Sequence, residues 1–320
     1  MATQSWNYTK GLHDVGKDAF AYLQPDGGWG WSNAGLIVDG EASLLVDTLF
    51  DMKLTDDMLA TMKDAVGVAG PDIGTVVNTH ANGDHTHGNG CCPHAEIIAS
   101  KASAAEMEAV GPAMLAQLQQ AAPTMGEVGQ YFSDIFGVFD FAGVEERLPT
   151  QTFSGQLDLK VGDRAVELIE VGPAHTAGDV LVHLPDTKIV FTGDILFIGG
   201  TPILWAGPVS NWIKACDRII AMDADVIVPG HGPITDNEGV RQVQAYLNYI
   251  DSEARARFDA GMEMRDAIFD IALADFAGWG DAERLAVNVS TLYREYRGEL
   301  DAADDVMQLF SLMADLRKKL

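Results

Sequence analysis

Apolar positions change their spacing several times along the chain, and each change marks an element. "GLIVDGEASLLVDT" (35–48) is two β-rich runs joined through Asp39-Gly40, which predicts a tight hairpin. Residues 51–68 space their apolar side chains at helical intervals, and "DIGTVVNTH" (72–80) reads as a buried strand ending on His80. "AEIIAS" (95–100) predicts another strand, followed by an Ala/Met/Glu-rich helix near 101–110. From 111 to 148 the pattern turns irregular, with Met114, Phe132, Phe136, Phe139 and Phe141 scattered through it. That segment is either a lid or a helical insertion with its own small core. Strand patterns return at 156–160, 165–171, 179–184 and 188–193, and a helix near 210–222 leads to "DVIVPG" (225–230).

After about residue 236 only the helical period remains. Val243, Leu247, Ile250 and Ala254 keep it, and so do Val306, Leu309, Phe310, Met313 and Leu316. The order of elements predicts a mixed α/β fold with two sheets over 1–235, followed by a helical extension over 236–320. The apolar stripes of the extension need a surface to cover. They are expected to pack over the sheets and to supply a homodimer contact or one wall of a pocket. Leu292, Tyr293 and Tyr296 in "NVSTLYREY" (288–296) are the candidate contact.

Composition narrows the partners more than the fold. Of 320 residues, 47% are hydrophobic and 21% charged, ordinary for a globular protein, and no apolar run is long enough to span a membrane. The net charge of −26 repels phosphate backbones and anionic headgroups, which argues against nucleic acid and membrane surfaces as partners. The start "MATQSWNYTK" lacks the basic-then-apolar pattern of a secretory signal, and three cysteines make no disulfide framework. A cytoplasmic protein is expected. The adjacent Cys91 and Cys92 read as the start of a buried strand rather than as ligands.

The chemistry gathers in loops. "NTHANGDHTHGN" (78–89) holds His80, Asp84, His85 and His87 with no bulky apolar side chain. His80, His175, Asp194 and His231 each lie just past an apolar β-run, beside glycine or alanine. If those strands share an edge, the side chains converge, as polar groups on strand-end loops do in active sites. Converging imidazoles and carboxylates suit zinc, manganese or iron. His13, His94 and His183 stand alone and read as structural.

"THANGDH", "GPAHTAGD", "FTGD" and "PGHGP", in this order and at these spacings, resemble the metallo-β-lactamase superfamily over roughly residues 30–235. The resemblance implies an αββα sandwich with a metal centre between the sheet edges, holding one or two zinc ions, with iron or manganese as alternatives. Carried over by motif, His80 and His175 belong to a first metal site. Asp84, His85 and His231 belong to a second, and Asp194 bridges the two. Asp84 also commonly orients the attacking water in this superfamily. This sequence departs from the motif at Asn82, where a histidine is usual. An amide oxygen is a weaker, neutral zinc ligand, so the first site is expected to bind more loosely. His87 would partly compensate by approaching the metal or the substrate.

Metal-bound water supplies hydroxide near neutral pH, and the same metal stabilises a developing oxyanion. The expected activity is hydrolysis of a small organic substrate: an ester, a lactone or a thioester. Phe197, Ile198, Ile203, Leu204 and Trp205 near the expected mouth suit an uncharged, partly apolar ligand. Two alternatives stay open. One is displacement of an ether or halide group from an activated aromatic ring by the same hydroxide. The other is oxygenation of a sulfur compound at a single iron on His80, His175 and Asp194, against which the intact Asp84, His85 and His231 argue. The acidic charge disfavours a nuclease, and the missing export signal disfavours β-lactam hydrolysis.

Overall fold

A computed structural model describes residues 6–302 and 305–320. The first sheet contains β1 (Gly11–Gly16), β2 (Ala19–Leu23), β3 (Ala34–Asp39), β4 (Ala42–Val46), β5 (Thr75–Val77), β6 (Glu96–Ser100) and β7 (Gln151–Phe153), in that spatial order. Pairing is antiparallel from β1 to β4 and parallel from β4 to β7. The second sheet contains β8 (Gln156–Val161), β9 (Arg164–Glu170), β10 (Val180–Leu184), β11 (Ile189–Phe191) and β12 (Val226–Val228). It is antiparallel except for the parallel pair β11–β12.

Side chains alternate across both sheets at the strand period of two. Ile37, Val46, Val77, Leu168, Val182, Phe191 and Val228 meet in one core between the sheets. Their neighbours Leu36, Leu45, Val76 and Ile97 face the opposite way, under Met58, Leu59 and Met62 of α1 (Met52–Val66). Ile169, Leu181, Val190 and Ile227 face outward from the second sheet into the largest core. Asp51 caps the start of α1 by accepting the Leu54 N–H, and Gly67 ends it at φ +81°. The result is helix, sheet, sheet, helix: the expected αββα sandwich.

The remaining helices are α2 (Gly83–Thr86), α3 (Lys101–Ala109), α4 (Pro112–Ala121), α5 (Gly126–Phe136), α6 (Val209–Ala221), α7 (Asn237–Asp259), α8 (Met264–Asp270), α9 (Leu285–Arg297) and α10 (Val306–Lys319). Residues 111–148 therefore hold two helices, and their aromatic residues join the main core rather than a separate one. Phe50 packs edge-on against Phe136 and Phe141, at ring-centre distances of 5.3 and 4.8 Å. The region after 236 is helical throughout its regular elements. α7 packs on α6, α9 on α7, and α10 on both α5 and α9. Among the described residues no helix is long and apolar enough to cross a membrane.

Three local expectations shift. The hairpin turn is Gly40-Glu41, because Asp39 still pairs with Ala42 and Gly40 takes φ +62°. β5 stops at Val77 instead of reaching His80: the Asn78 backbone N–H still reaches Ile98 O of β6 (2.9 Å), but from Thr79 on the chain bonds elsewhere. The Asn78 amide donates to His85 O (3.0 Å), and the Thr79 backbone N–H donates to Asp47 (2.7 Å). Cys91 and Cys92 lie before β6 at the end of a short 3-10 turn, not in the strand.

Trp212 and Ile219 of α6 share one core with Val240, Val243 and Leu247 of α7. Deleting residues 236–320 would bare that surface. The shortened chain is expected to aggregate or lose cooperative unfolding, checked by size-exclusion chromatography and thermal melting. A soluble monomer with a sharp transition would refute the shared core.

Candidate metal centre

Strand directions bring the polar loops to one edge. β9 and β11 are both antiparallel to β10, and β12 is parallel to β11, so all three end on the same side. His175, Asp194 and His231 follow them, while Asp47 and His80 follow the parallel pair β4–β5 of the other sheet. The short helix α2 adds Asp84 and His85. Two glycines are obligatory here. A Cβ at Gly230 would collide with Asp194 Oδ1, and one at Gly193 (φ +50°) with Thr79 Oγ1.

Four imidazoles surround the Asp194 carboxylate. Its Oδ1 lies 3.1 Å from His85 Nε2, and its Oδ2 lies 3.4 Å from His175 Nε2, 3.4 Å from His231 Nε2 and 3.7 Å from His80 Nε2. Asp84 Oδ2 sits 3.2 Å from His231 Nε2 and 3.8 Å from His85 Nε2. Two groups have all their donor atoms within 4.8 Å of one another: His80, His85 and Asp194, and Asp84, His85 and His231. His85 thus stands between the groups, more central than its motif assignment implies.

The outer nitrogens of three histidines are engaged, which turns the Nε2 lone pairs inward. His85 Nδ1 donates to Asp47 Oδ2 (2.9 Å), and His175 Nδ1 donates to Ile203 O (2.6 Å). The Thr79 hydroxyl donates to Asp47 Oδ2 (2.7 Å), which leaves its oxygen to accept from His80 Nδ1 (3.0 Å). Bonds of this kind fix tautomer and ring orientation in metal-ligating histidines. Inside the ring of donors, His80 Nε2, His85 Nε2 and Asp194 Oδ1 are buried with no hydrogen-bond partner. Buried polar atoms are normally paired. Orphaned lone pairs aimed at a common point are what a divalent cation requires, and N/O donors of this type fit zinc, manganese or iron.

The electrostatics agree. Burial pushes the His80 imidazole well below its usual range and His175 down to about 4, so both offer neutral nitrogens. Burial opposes charge on His85 and His231 as well, but there the carboxylates prevail. Asp194, Asp84 and Asp47 raise His85 well above its usual range, and Asp194 with Asp84 raises His231 to about 9. The cluster of carboxylates therefore demands positive charge at the very nitrogens where a cation would sit.

The structure brings His80, Asp84, His85, His175, Asp194 and His231 together. Asn82 joins them: its Nδ2 is 3.1 Å from His175 Nε2, and turning the amide over presents the carbonyl oxygen, its one ligating atom, at that place. His87 is in neither donor group. Its ring packs against Phe50 at 5.5 Å and lines the adjoining cavity, and burial lowers its pKa to about 4. His13 bonds Thr9 O and His183 pairs with Glu167, both away from the site. Sequence reading missed Asp47, which ends the run "SLLVD" as His80 and Asp194 end theirs. It also missed Asn33, whose amide donates to Pro229 O (3.0 Å) and Gly232 O (2.8 Å) and so anchors the His231 loop.

An αββα sandwich with imidazoles and carboxylates converging at one sheet edge defines a class of metal-dependent enzymes. The family model described as "Metallo-beta-lactamase superfamily" matches residues 27–231, and the chain belongs to that superfamily, whose members are mostly metal-dependent hydrolases. It is 32% identical over 88 residues to 2,4-dinitroanisole O-demethylase subunit alpha of Nocardioides sp. (strain JS1661), covering 26% of each chain. It is 28% identical over 115 residues to hydroxyacylglutathione hydrolase of Brucella anthropi, covering 36% of this chain and 38% of that one. The chain thus aligns with well under half the length of either relative. Among solved structures, sec-alkylsulfatase Pisa1 from Pseudomonas sp. matches 90% of this chain and 50% of its own, with a TM-score of 0.64 at 16% identity. A metallo-β-lactamase from Pontibacter korlensis matches 74% of this chain and 98% of its own, with a TM-score of 0.55 at 18% identity. At these identities the likeness is one of fold.

Two substitutions test the centre. Asp47→Asn removes the charge that orients His85 directly and His80 through Thr79. It is expected to weaken metal affinity about 10- to 100-fold in a chelator competition; unchanged affinity would remove Asp47 from the site. Asn82→His should tighten one metal equivalent relative to the wild type in a zinc titration of metal-free protein. Two equal wild-type sites, unmoved by the substitution, would mean that Asn82 does not face the metal.

Proposed function

We propose that this chain is a metal-dependent hydrolase acting on a small, uncharged, partly apolar ester, lactone or thioester. One observation carries the reading: a cavity of about 440 Å³ opens directly onto Asp84, Asp194 and His231. That volume suits a small organic ligand. Its walls are largely apolar, with Trp29, Phe50, Leu115, Phe136, Trp205 and Phe310 among them. Phe197, Ile203 and Trp205 line it as the sequence suggested, whereas Ile198 and Leu204 pack into the core. α4, α5 and the extension all contribute to the wall, through Met114, Phe136, Val306 and Phe310.

His80, His175 and Asp194 with Asn82, and Asp84, His85 and His231 with the shared Asp194, would hold the metal. A divalent cation bound there lowers the pKa of water to about 7 and polarises a carbonyl oxygen. The chain's own residues supply the rest. Asp84 lines the cavity, where its ionised carboxylate can accept a hydrogen bond from the attacking water and so orient it. His87, neutral at pH 7, faces the same space and can hydrogen-bond the leaving group. The aromatic wall keeps bulk water from the reacting carbonyl and strengthens these interactions.

A second reading has its own support. Aromatic side chains around the cavity suit a flat ring, and the relative that shares 32% identity over 88 residues is named for removing the methyl group of 2,4-dinitroanisole. Water displacing an alkoxide from an activated ring would use the same Asp84.

Metal-replete protein should hydrolyse members of a panel of p-nitrophenyl esters, lactones and thioesters, lose activity on chelation and regain it on adding metal back. His85→Ala should cut kcat by about 10²-fold or more, because His85 belongs to both donor groups. Full activity after thorough chelation would overturn the reading. Turnover of nitroaryl methyl ethers alone would select the second one.

A further inference from the structure

We infer that the helical extension is a working part of the metal centre, because it clasps the loop that orients His175 and His231. The inference rests on the metal-centre reading above and goes beyond it, since residues after 236 carry none of the ligands.

The loop is residues 197–205, between Asp194 and α6. It does two things for the ligands. Ile203 O accepts the hydrogen bond of His175 Nδ1 at 2.6 Å, and so sets which nitrogen of that ring turns inward. Phe197 stacks face to face on the His231 ring, with centres 5.0 Å apart and planes 7° from parallel. This stack has a particular importance. His80, His85 and His175 each have an outer nitrogen held by a hydrogen bond, whereas His231 Nδ1 is buried without one. The face of Phe197 fixes the plane of the His231 ring in place of such a bond.

The ends of the loop bond the ligand segments directly, Ile198 N–H to His231 O (3.0 Å) and Trp205 N–H to His175 O (3.0 Å), but residues 201–204 between them form no helix or strand. The extension constrains that middle part. Asn288 of α9 accepts the Leu204 N–H (2.7 Å) and donates to Pro202 O (2.9 Å), so one side chain grips both peptides that flank Ile203. Thr291, one turn further on, donates to Leu204 O (2.7 Å). Arg284, just before α9, donates to Thr201 O (3.0 Å) and pairs with Asp281 (3.0 Å). Its guanidinium carbon lies 4.4 Å from the Trp29 ring centre and 5.2 Å from that of Phe197, so it backs the ring that stacks on His231. Asn288 and Arg284 are both 2% exposed. The Asn288 amide, bonded at both its oxygen and its nitrogen, holds one geometry, since a shift leaves a buried polar atom unpaired.

Arg284, Asn288 and Thr291 are therefore positioning residues, acting through Ile203 O and Phe197. Metal-free wild type and the variants Asn288→Ala, Thr291→Val, Arg284→Met, Phe197→Leu and Phe197→Tyr are titrated with cobalt(II). Affinity is read by chelator competition and ligand geometry by the visible absorption spectrum, with Gln242→Ala on the exposed face of α7 as control. Asn288→Ala, Arg284→Met and Phe197→Leu are expected to weaken one cobalt equivalent about 10- to 100-fold and to alter the spectrum. Phe197→Tyr, which keeps the stack, and the control should match wild type. Should Asn288→Ala fail to fold, Thr291→Val removes a single bond from the same clasp and is expected to show a smaller shift of the same sign. Folded variants with wild-type cobalt affinity and spectrum overturn the inference. So does a rise in KM alone, which would make these residues part of the substrate wall. A wild type that takes up no cobalt overturns the metal centre itself, and the clasp with it.

Discussion

The site depends on one constraint: four buried imidazoles must turn a lone pair toward a single carboxylate. Asp194 lies between 3.1 and 3.7 Å from all four Nε2 atoms, and among the described residues no other carboxylate pairs with all four. An imidazole is free to flip or to exchange its proton between nitrogens, so convergence has to be enforced from outside the ring. Asp47 does this for two histidines at once, directly for His85 and through the Thr79 hydroxyl for His80. Asp47 itself sits at φ +61°, a backbone conformation that side chains other than glycine, asparagine and aspartate seldom take. The strained backbone is tolerated because the carboxylate is then held by three bonds and orients two candidate ligands.

Burial gives the arrangement its electrical character. Carboxylates enclosed this completely are costly unless countercharged. Asp84 and Asp194 are both held well below the usual carboxylate range, against burial, by the imidazoles around them, His85 for Asp84 and His231 for Asp194 foremost. The same carboxylates draw protons onto His85 and His231. Protons and a divalent cation therefore compete for the same nitrogens, and metal uptake must release protons. Organising such a cluster from two separate sheets makes sense only if the charge is supplied from solution.

What the sequence made legible, and what it hid, follows from range. Candidate ligands at strand ends stand out because the apolar run before each one is local, and "VFTGD" or "VIVPGH" carries the pattern within a few residues. Asp47 has the same local signature in "SLLVD", but a lone aspartate after a strand is too common to single out. In the stretch 111–148, Tyr131, Phe132, Ile135 and Phe136 do form a buried stripe on α5, but α4 buries no residue and Phe139 and Phe141 lie beyond the helix on Phe50, which blurs the period. Trp29, Glu283 and Tyr131 show the limit most clearly. Glu283 accepts from the Trp29 indole (3.3 Å) and the Tyr131 hydroxyl (3.2 Å), contacts that join residues more than 150 positions apart. No periodicity encodes a meeting of that kind.

The same long-range packing bears on the charge of the substrate. With 47 acidic residues against 21 basic, the molecule repels anions at a distance. Close in, an enzyme for a carboxylate or phosphate ester would be expected to offset this with free cations in its wall. The described lining of the cavity includes Arg284 as its one lysine or arginine, and that side chain is already bonded to Thr201 O and paired with Asp281. Apart from a metal bound at the floor, an anionic group would find no free cation and would lie beside Asp84 and Glu106, both of which also line the space. A neutral ligand meets no such penalty. It would gain roughly 25 cal/mol for each Å² of apolar surface it buries while its reacting carbonyl rests on the polar floor. Cavity, surface charge and committed cation thus all favour the proposed reading, an uncharged and partly apolar substrate.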